Sequence, residues 1–146
     1  MRPTVVSMMV LVLMTGARLM AHCQIPCGIY DDELRAKLIA EHATTIEKSM
    51  NQIVELSKQS PVNYNQLVRW VNNKEEHAAE IQTIVSEYFL TQRIKPEDKD
   101  YEKKLKLLHG MLLSAMKCRQ TTDLANVEAL RTQLKEFSDL YFDHTN

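Results

Sequence analysis

Residues 22–30 read H-C-Q-I-P-C-G-I-Y and gather two thiols and an imidazole within six positions, His22 to Cys27. The chain holds three cysteines, Cys23, Cys27 and Cys118, an odd count and too few for a small secreted disulfide scaffold. Thiolate and imidazole are ligands for borderline and soft transition metals. If His22 were the first residue of a processed chain, it would also offer a free α-amine. The amine, the Cys23 amide nitrogen and the Cys23 sulfur would then close two adjacent chelate rings in one plane. Cys27 has to return to the same centre. Four extended residues span up to about 13 Å, so the chain must double back, and Pro26 and Gly28 suit a tight turn.

The donor set narrows the metal. Structural zinc favours a closed tetrahedron, usually from two separated ligand pairs, and no second pair exists here. Two thiolates, an amine and an anionic amide in a plane suit Ni(II), with Cu(II) second. An axial His22 imidazole would favour a higher oxidation state, which makes the site a redox centre. A local Cys23–Cys27 disulfide, or two free thiols, competes with this reading, because C-x-x-x-C alone underdetermines a site.

The segment ahead of this cluster decides whether His22 can be a chain end. Arg2 supplies a short positive start, and Val5 to Met14 form an apolar run of ten interrupted only by Ser7. Spanning a bilayer takes about 20 residues, so the run fits the hydrophobic region of a cleaved leader. Ala21 is a small residue at a suitable cut, although Leu19 and Arg18 are atypical so near it. A buried N-terminal helix and a retained anchor are the alternatives. A lipoprotein cut before Cys23 would need a small residue where His22 stands. Residues 1–21 are therefore expected to be a signal or pro-peptide. The mature chain is expected to be periplasmic or secreted, or cytoplasmic if the leader is a pro-peptide.

The remainder must position the cluster. Glycine and proline are scarce, at 3 and 4, and helix-forming residues abound. Asp31 and Asp32 can cap a helix whose stripe is Leu34, Leu38, Ile46, Met50, Ile53 and Leu56. Ser60-Pro61 signals a second start, with Leu67, Val71, Ala78, Ile81, Val85, Tyr88 and Phe89 as its stripe, ending near Arg93. A third helix is expected from Glu97 or Asp98, with Tyr101, Leu105, Leu108, Leu112 and Ala115 inward. After Q-T-T-D, a fourth carries Val127, Leu130, Leu134, Phe137 and Tyr141. No strand signal and no repeat appear. The fold class is all-α: an antiparallel up-down-up-down four-helix bundle over 31–143, with a non-helical hook at 22–30 in one domain, 22–146.

Several chemistries drop out. Net charge is −1 and no basic run is interleaved with aromatics, so nucleic acid is not an expected partner. Di-iron bundles use Glu-x-x-His steps. The residues three before His42, His77, His109 and His144 are Ile39, Lys74, Lys106 and Tyr141, so that step is missing. His42, His77 and His109 read as solvated or half-buried side chains, and Cys118 as a buried small hydrophobe. No nucleophile elbow or phosphate loop occurs.

Taken together, H-C-x-x-P-C-G-x-Y, formed by His22, Cys23, Pro26, Cys27, Gly28 and Tyr30, resembles the nickel superoxide dismutase family. Q-L-V-R-W-V-N-N-K-E-E-H-A, S-E-Y-F-L-T-Q-R and A-M-K-C-R-Q-T-T-D-L resemble its marine bacterial branch. The resemblance implies a four-helix bundle assembled as a homohexamer, with one nickel ion per subunit in a hook exposed by a processing protease. It implies an antioxidant oxidoreductase that converts superoxide to oxygen and hydrogen peroxide while nickel cycles between Ni(II) and Ni(III). By position, the His22 amine, Cys23 amide and Cys23 and Cys27 thiolates are planar ligands, and the His22 imidazole is axial. Tyr30 is the gate near the metal, and Tyr88 matches a second tyrosine lining the approach. Gln24 replaces an acid of the better-known branch. The acid and arginine that orient the axial imidazole there have only loose counterparts, Glu41 and His77. The other functional readings are a non-catalytic nickel- or copper-binding helical protein, and a secreted helical interaction protein with a Cys23–Cys27 disulfide. No membrane partner is expected after cleavage.

Overall fold

The computed structural model describes residues 30–142. The leader over 1–21 and the hook residues His22, Cys23 and Cys27 lie outside the described residues.

Four helices follow one another: α1 Asp32–Ser57, α2 Tyr64–Thr83, α3 Tyr101–Gln120 and α4 Ala125–Phe142. A π-helix, Ile84–Arg93, prolongs α2. Cross-helix contacts fix the register. His42 meets His77 and Ser49 meets Asn73, so α1 and α2 run antiparallel. Gln82 meets Leu112, Ser114 meets Gln133, and Arg131 of α4 reaches Glu47 of α1. Lys74 also meets Cys118, Lys104 meets Tyr141 and Asp32 meets Tyr141, so in every pairing one number rises as the other falls, and the four helices form the expected up-down-up-down bundle.

The helix starts show where local chemistry prevailed. Asp31 caps α1 as expected, its side chain accepting the Leu34 N–H at 2.9 Å. The second start falls later than Ser60-Pro61 suggests, because the Asn63 side chain caps it by accepting the Gln66 N–H at 3.2 Å. The third begins at Tyr101 rather than at Glu97 or Asp98. The Asp98 carboxylate is captured by the Lys95 N–H at 2.9 Å, and Asp100 adopts a left-handed φ of 59°. Both hold 97–100 in a turn.

Ile39, Ile46, Met50, Ile81, Leu108, Met111, Leu130, Phe89 and Phe137 are fully buried between the helices. Two residues of the expected core stripes are exposed. Leu34 is 45 % exposed and Val71 37 %. Val71 lies in the first half of α2, which runs past the end of α3. The level of that end is marked by Lys74, only 4 % exposed, whose Nζ donates to the Cys118 carbonyl at 2.7 Å and to the Arg119 carbonyl. An ammonium group here meets otherwise unpaired carbonyls and the negative end of the α3 dipole. Replacing Lys74 by Ala is expected to cost about 2 kcal/mol, the scale of leaving buried acceptors unmet. The urea midpoint at neutral pH reads this directly.

Candidate metal centre

The π-helix decides what surrounds the first turn of α1. In an α-helix, with 3.6 residues per turn, residues five apart point to different faces. A π-helix closes i→i+5 bonds and stacks them, as in the Ile94 N–H to Phe89 carbonyl bond of 3.0 Å. Tyr88 and Arg93 therefore lie on one side and both reach Asp32. Tyr88 donates its hydroxyl proton to Asp32 Oδ1. Arg93 donates to Asp32 Oδ2 from Nε at 3.0 Å and from Nη2 at 2.8 Å. Tyr141, from the end of α4, donates to the same Oδ2 at 2.7 Å. One carboxylate thus joins α1, the π-helix and α4.

Burial works to raise the Asp32 carboxyl, but hydrogen bonds from Arg93, Tyr88 and Tyr141 outweigh it and hold it below the usual carboxylate range. Burial and the Asp32 carboxylate push the Tyr88 phenol up to about 12. The same causes raise Tyr141. At neutral pH the cluster is one anion, one guanidinium and two neutral phenols.

The point where the hook joins the bundle lies against this cluster. The Arg93 guanidinium sits 4.4 Å from the Tyr30 ring centroid, and the Tyr88 ring meets Tyr30 edge-on at 6.1 Å. The two tyrosines expected near the metal are therefore brought together. Their situations differ. Tyr30 is 41 % exposed, and its hydroxyl has no partner among the described residues. Tyr88 is fully buried, donates to Asp32 and accepts the Asp31 N–H at 2.9 Å. Its hydroxyl pins the backbone one residue after Tyr30. Arg35 stacks on the Tyr88 ring at 5.1 Å, with its buried Nε unpaired among the described residues.

Asp32, Arg93, Tyr141 and Arg35 were not singled out from sequence as site residues. Glu41 is exposed, and His77 Nδ1 is 2.7 Å from His42 Nδ1. Cys118 is buried, and burial pushes its thiol up to about 11, which makes it a poor ligand.

Among the described residues no group of three or more His, Cys, Asp or Glu side chains is placed to hold a metal. The soft donors are concentrated instead at His22, Cys23 and Cys27. Arg35, whose buried Nε has no partner among the described residues, and an exposed Tyr30 stand at the base of that segment. The whole chain narrows the class further: residues 17–145 match nickel-containing superoxide dismutase, and the chain belongs to that family. It is a nickel-dependent oxidoreductase with superoxide as its substrate. No curated protein and no solved structure matches it. Two thiols, an imidazole and a potential chain-end amine fit nickel as a donor set.

Proposed function

We propose that removal of residues 1–21 exposes His22, and that His22, Cys23 and Cys27 then hold nickel at the new chain end. The supporting observation is that the family match spans these residues and runs on through the bundle that presents Tyr30. Bound there, nickel supplies one-electron cycling between Ni(II) and Ni(III), which turns superoxide into oxygen and hydrogen peroxide. The His22 amine and imidazole, the Cys23 amide nitrogen and the Cys23 and Cys27 thiolates would be the groups that hold nickel.

The bundle's own residues perform the rest. Tyr30, with a free hydroxyl among the described residues, donates a hydrogen bond to a small oxygen species beside the hook. Arg93, its charge balanced by Asp32, stacks on that ring at 4.4 Å and fixes where the hydroxyl stands. Tyr88 acts through the backbone, holding Asp31 and so the root of the hook. Tyr30→Phe is expected to retain nickel but slow dismutation about tenfold or more, the scale of losing a positioned donor. Unchanged turnover would reduce Tyr30 to packing.

Hydrogen peroxide is released beside two oxidation-prone thiolates. Peroxide is expected to inactivate the nickel-free protein faster than the loaded one, as followed by thiol titration. Equal rates would argue against protection by the metal.

A homohexamer, a processing protease and an exported mature chain complete the reading. The start of α2 exposes Tyr64, Val68 and Val71 at i, i+4 and i+7, an apolar stripe that subunit packing would cover.

A further inference from the structure

We propose that His42 and His77 form a second metal site, a two-imidazole chelate bridging α1 and α2 for a divalent transition-metal cation of the Cu(II), Ni(II) and Zn(II) class. The two Nδ1 atoms lie 2.7 Å apart, with ring centroids 4.9 Å apart and planes inclined at 52°. Two protonated Nδ1 atoms cannot approach so closely, so the pair shares one proton between two lone pairs. A slot that holds one proton between two imidazole nitrogens is also a slot for a metal ion.

The distances agree. Metal–imidazole bonds are about 2.0–2.1 Å, so neighbouring nitrogens in a square or tetrahedral shell lie about 2.9–3.4 Å apart. The pair has to open by only about 0.2–0.7 Å on that geometry. Both rings must also turn about their side-chain bonds so that their lone pairs converge on one ion between the helices. Those are fixed by Ala43 and Ile46 on α1 and by Ala78 and Ile81 on α2, all fully buried. Both histidines are half-buried, so one side of the slot faces solvent and water can complete the shell. Glu80 and Glu41 are the charged groups that act on His42 besides His77, and both favour a cation there. Burial, and then the charge of His77, hold His42 below the usual histidine range, which leaves its ring neutral and ready to ligate. No third side chain of ligand type joins the pair among the described residues, so the site is a readily exchanging one.

The test uses the full chain carrying Cys23→Ser and Cys27→Ser, in which His22 keeps an amide and the hook lacks its thiolates. Its outcome is thus separate from the nickel reading. Cu(II), the strongest binder of the class, is titrated by calorimetry with electron paramagnetic resonance. The expected result is one bound equivalent with coupling to two imidazole nitrogens and proton release. His42→Gln and His77→Gln should each weaken binding at least about tenfold, while His109→Gln leaves it unchanged. No saturable equivalent, or binding indifferent to both substitutions, would overturn the site. Should either glutamine variant unfold, nitrogen NMR of the unsubstituted imidazoles with Zn(II) reads the same question. A Zn(II) shift at the His42 and His77 Nδ1 resonances supports the chelate, and no shift there overturns it.

Discussion

Cys23→Ser and Cys27→Ser proteins are expected to fold as intact bundles, carry no stoichiometric nickel and lose at least about a hundredfold in superoxide dismutation, since even outer-shell changes at metal sites cost on that scale. The reason is chemical. A thiolate forms near neutral pH and is a soft, strongly donating ligand; a serine hydroxyl stays protonated and hard. The fold should survive because the buried core runs from Ala36 to Phe137, downstream of both cysteines. Circular dichroism and thermal midpoints near those of the unsubstituted protein, alongside absent nickel, would separate ligand loss from unfolding. Full dismutation by Cys27→Ser would remove the second thiolate from the mechanism.

Asp32→Ala is expected to destabilise the bundle by about 3 kcal/mol, within the range for removing one partner of a buried charged pair. The carboxylate is 16 % exposed and the Arg93 side chain 30 %, so part of the loss will be softened by water. Its removal strands a guanidinium and two phenols at once. The acid limb of stability carries the same signature. A carboxyl whose folded pKa is depressed contributes stability that is present above its unfolded value. That contribution is lost as pH falls from there through the lowered folded value. Urea midpoints measured downward from neutral pH should therefore fall more steeply for the unsubstituted protein than for Asp32→Asn. Parallel curves would mean that Asp32 is not the group that titrates. Tyr30 should also lose order in Asp32→Ala, because Arg93 is held against its ring by that carboxylate.

Much of the architecture could be read before any coordinates. Four helices, their order and the Asp31 cap follow from 3.6-residue periodicity and from short polar residues at helix starts. The boundary shifts to Tyr64 and Tyr101 come from single side-chain bonds, those of Asn63 and Asp98, which compete with the signals of Pro61 and of the early acids. Lys74 reads as a surface lysine because its role depends on α3 ending beside it, 44 residues away. The Asp32 cluster is illegible for the same reason. Its partners are 56, 61 and 109 residues distant. It also needs a π-helix that S-E-Y-F-L-T-Q-R does not announce with any glycine or proline. The proposed metal donors stand out in the sequence because they are local, lying within six residues of one another.

The most direct test is the mass of the mature N-terminus, measured together with nickel content and dismutation on the same sample. The expected result is a chain that begins at His22, carries one nickel ion and is active, with activity lost when one residue is retained ahead of His22. An active, nickel-loaded protein whose chain still begins before His22 would contradict the account.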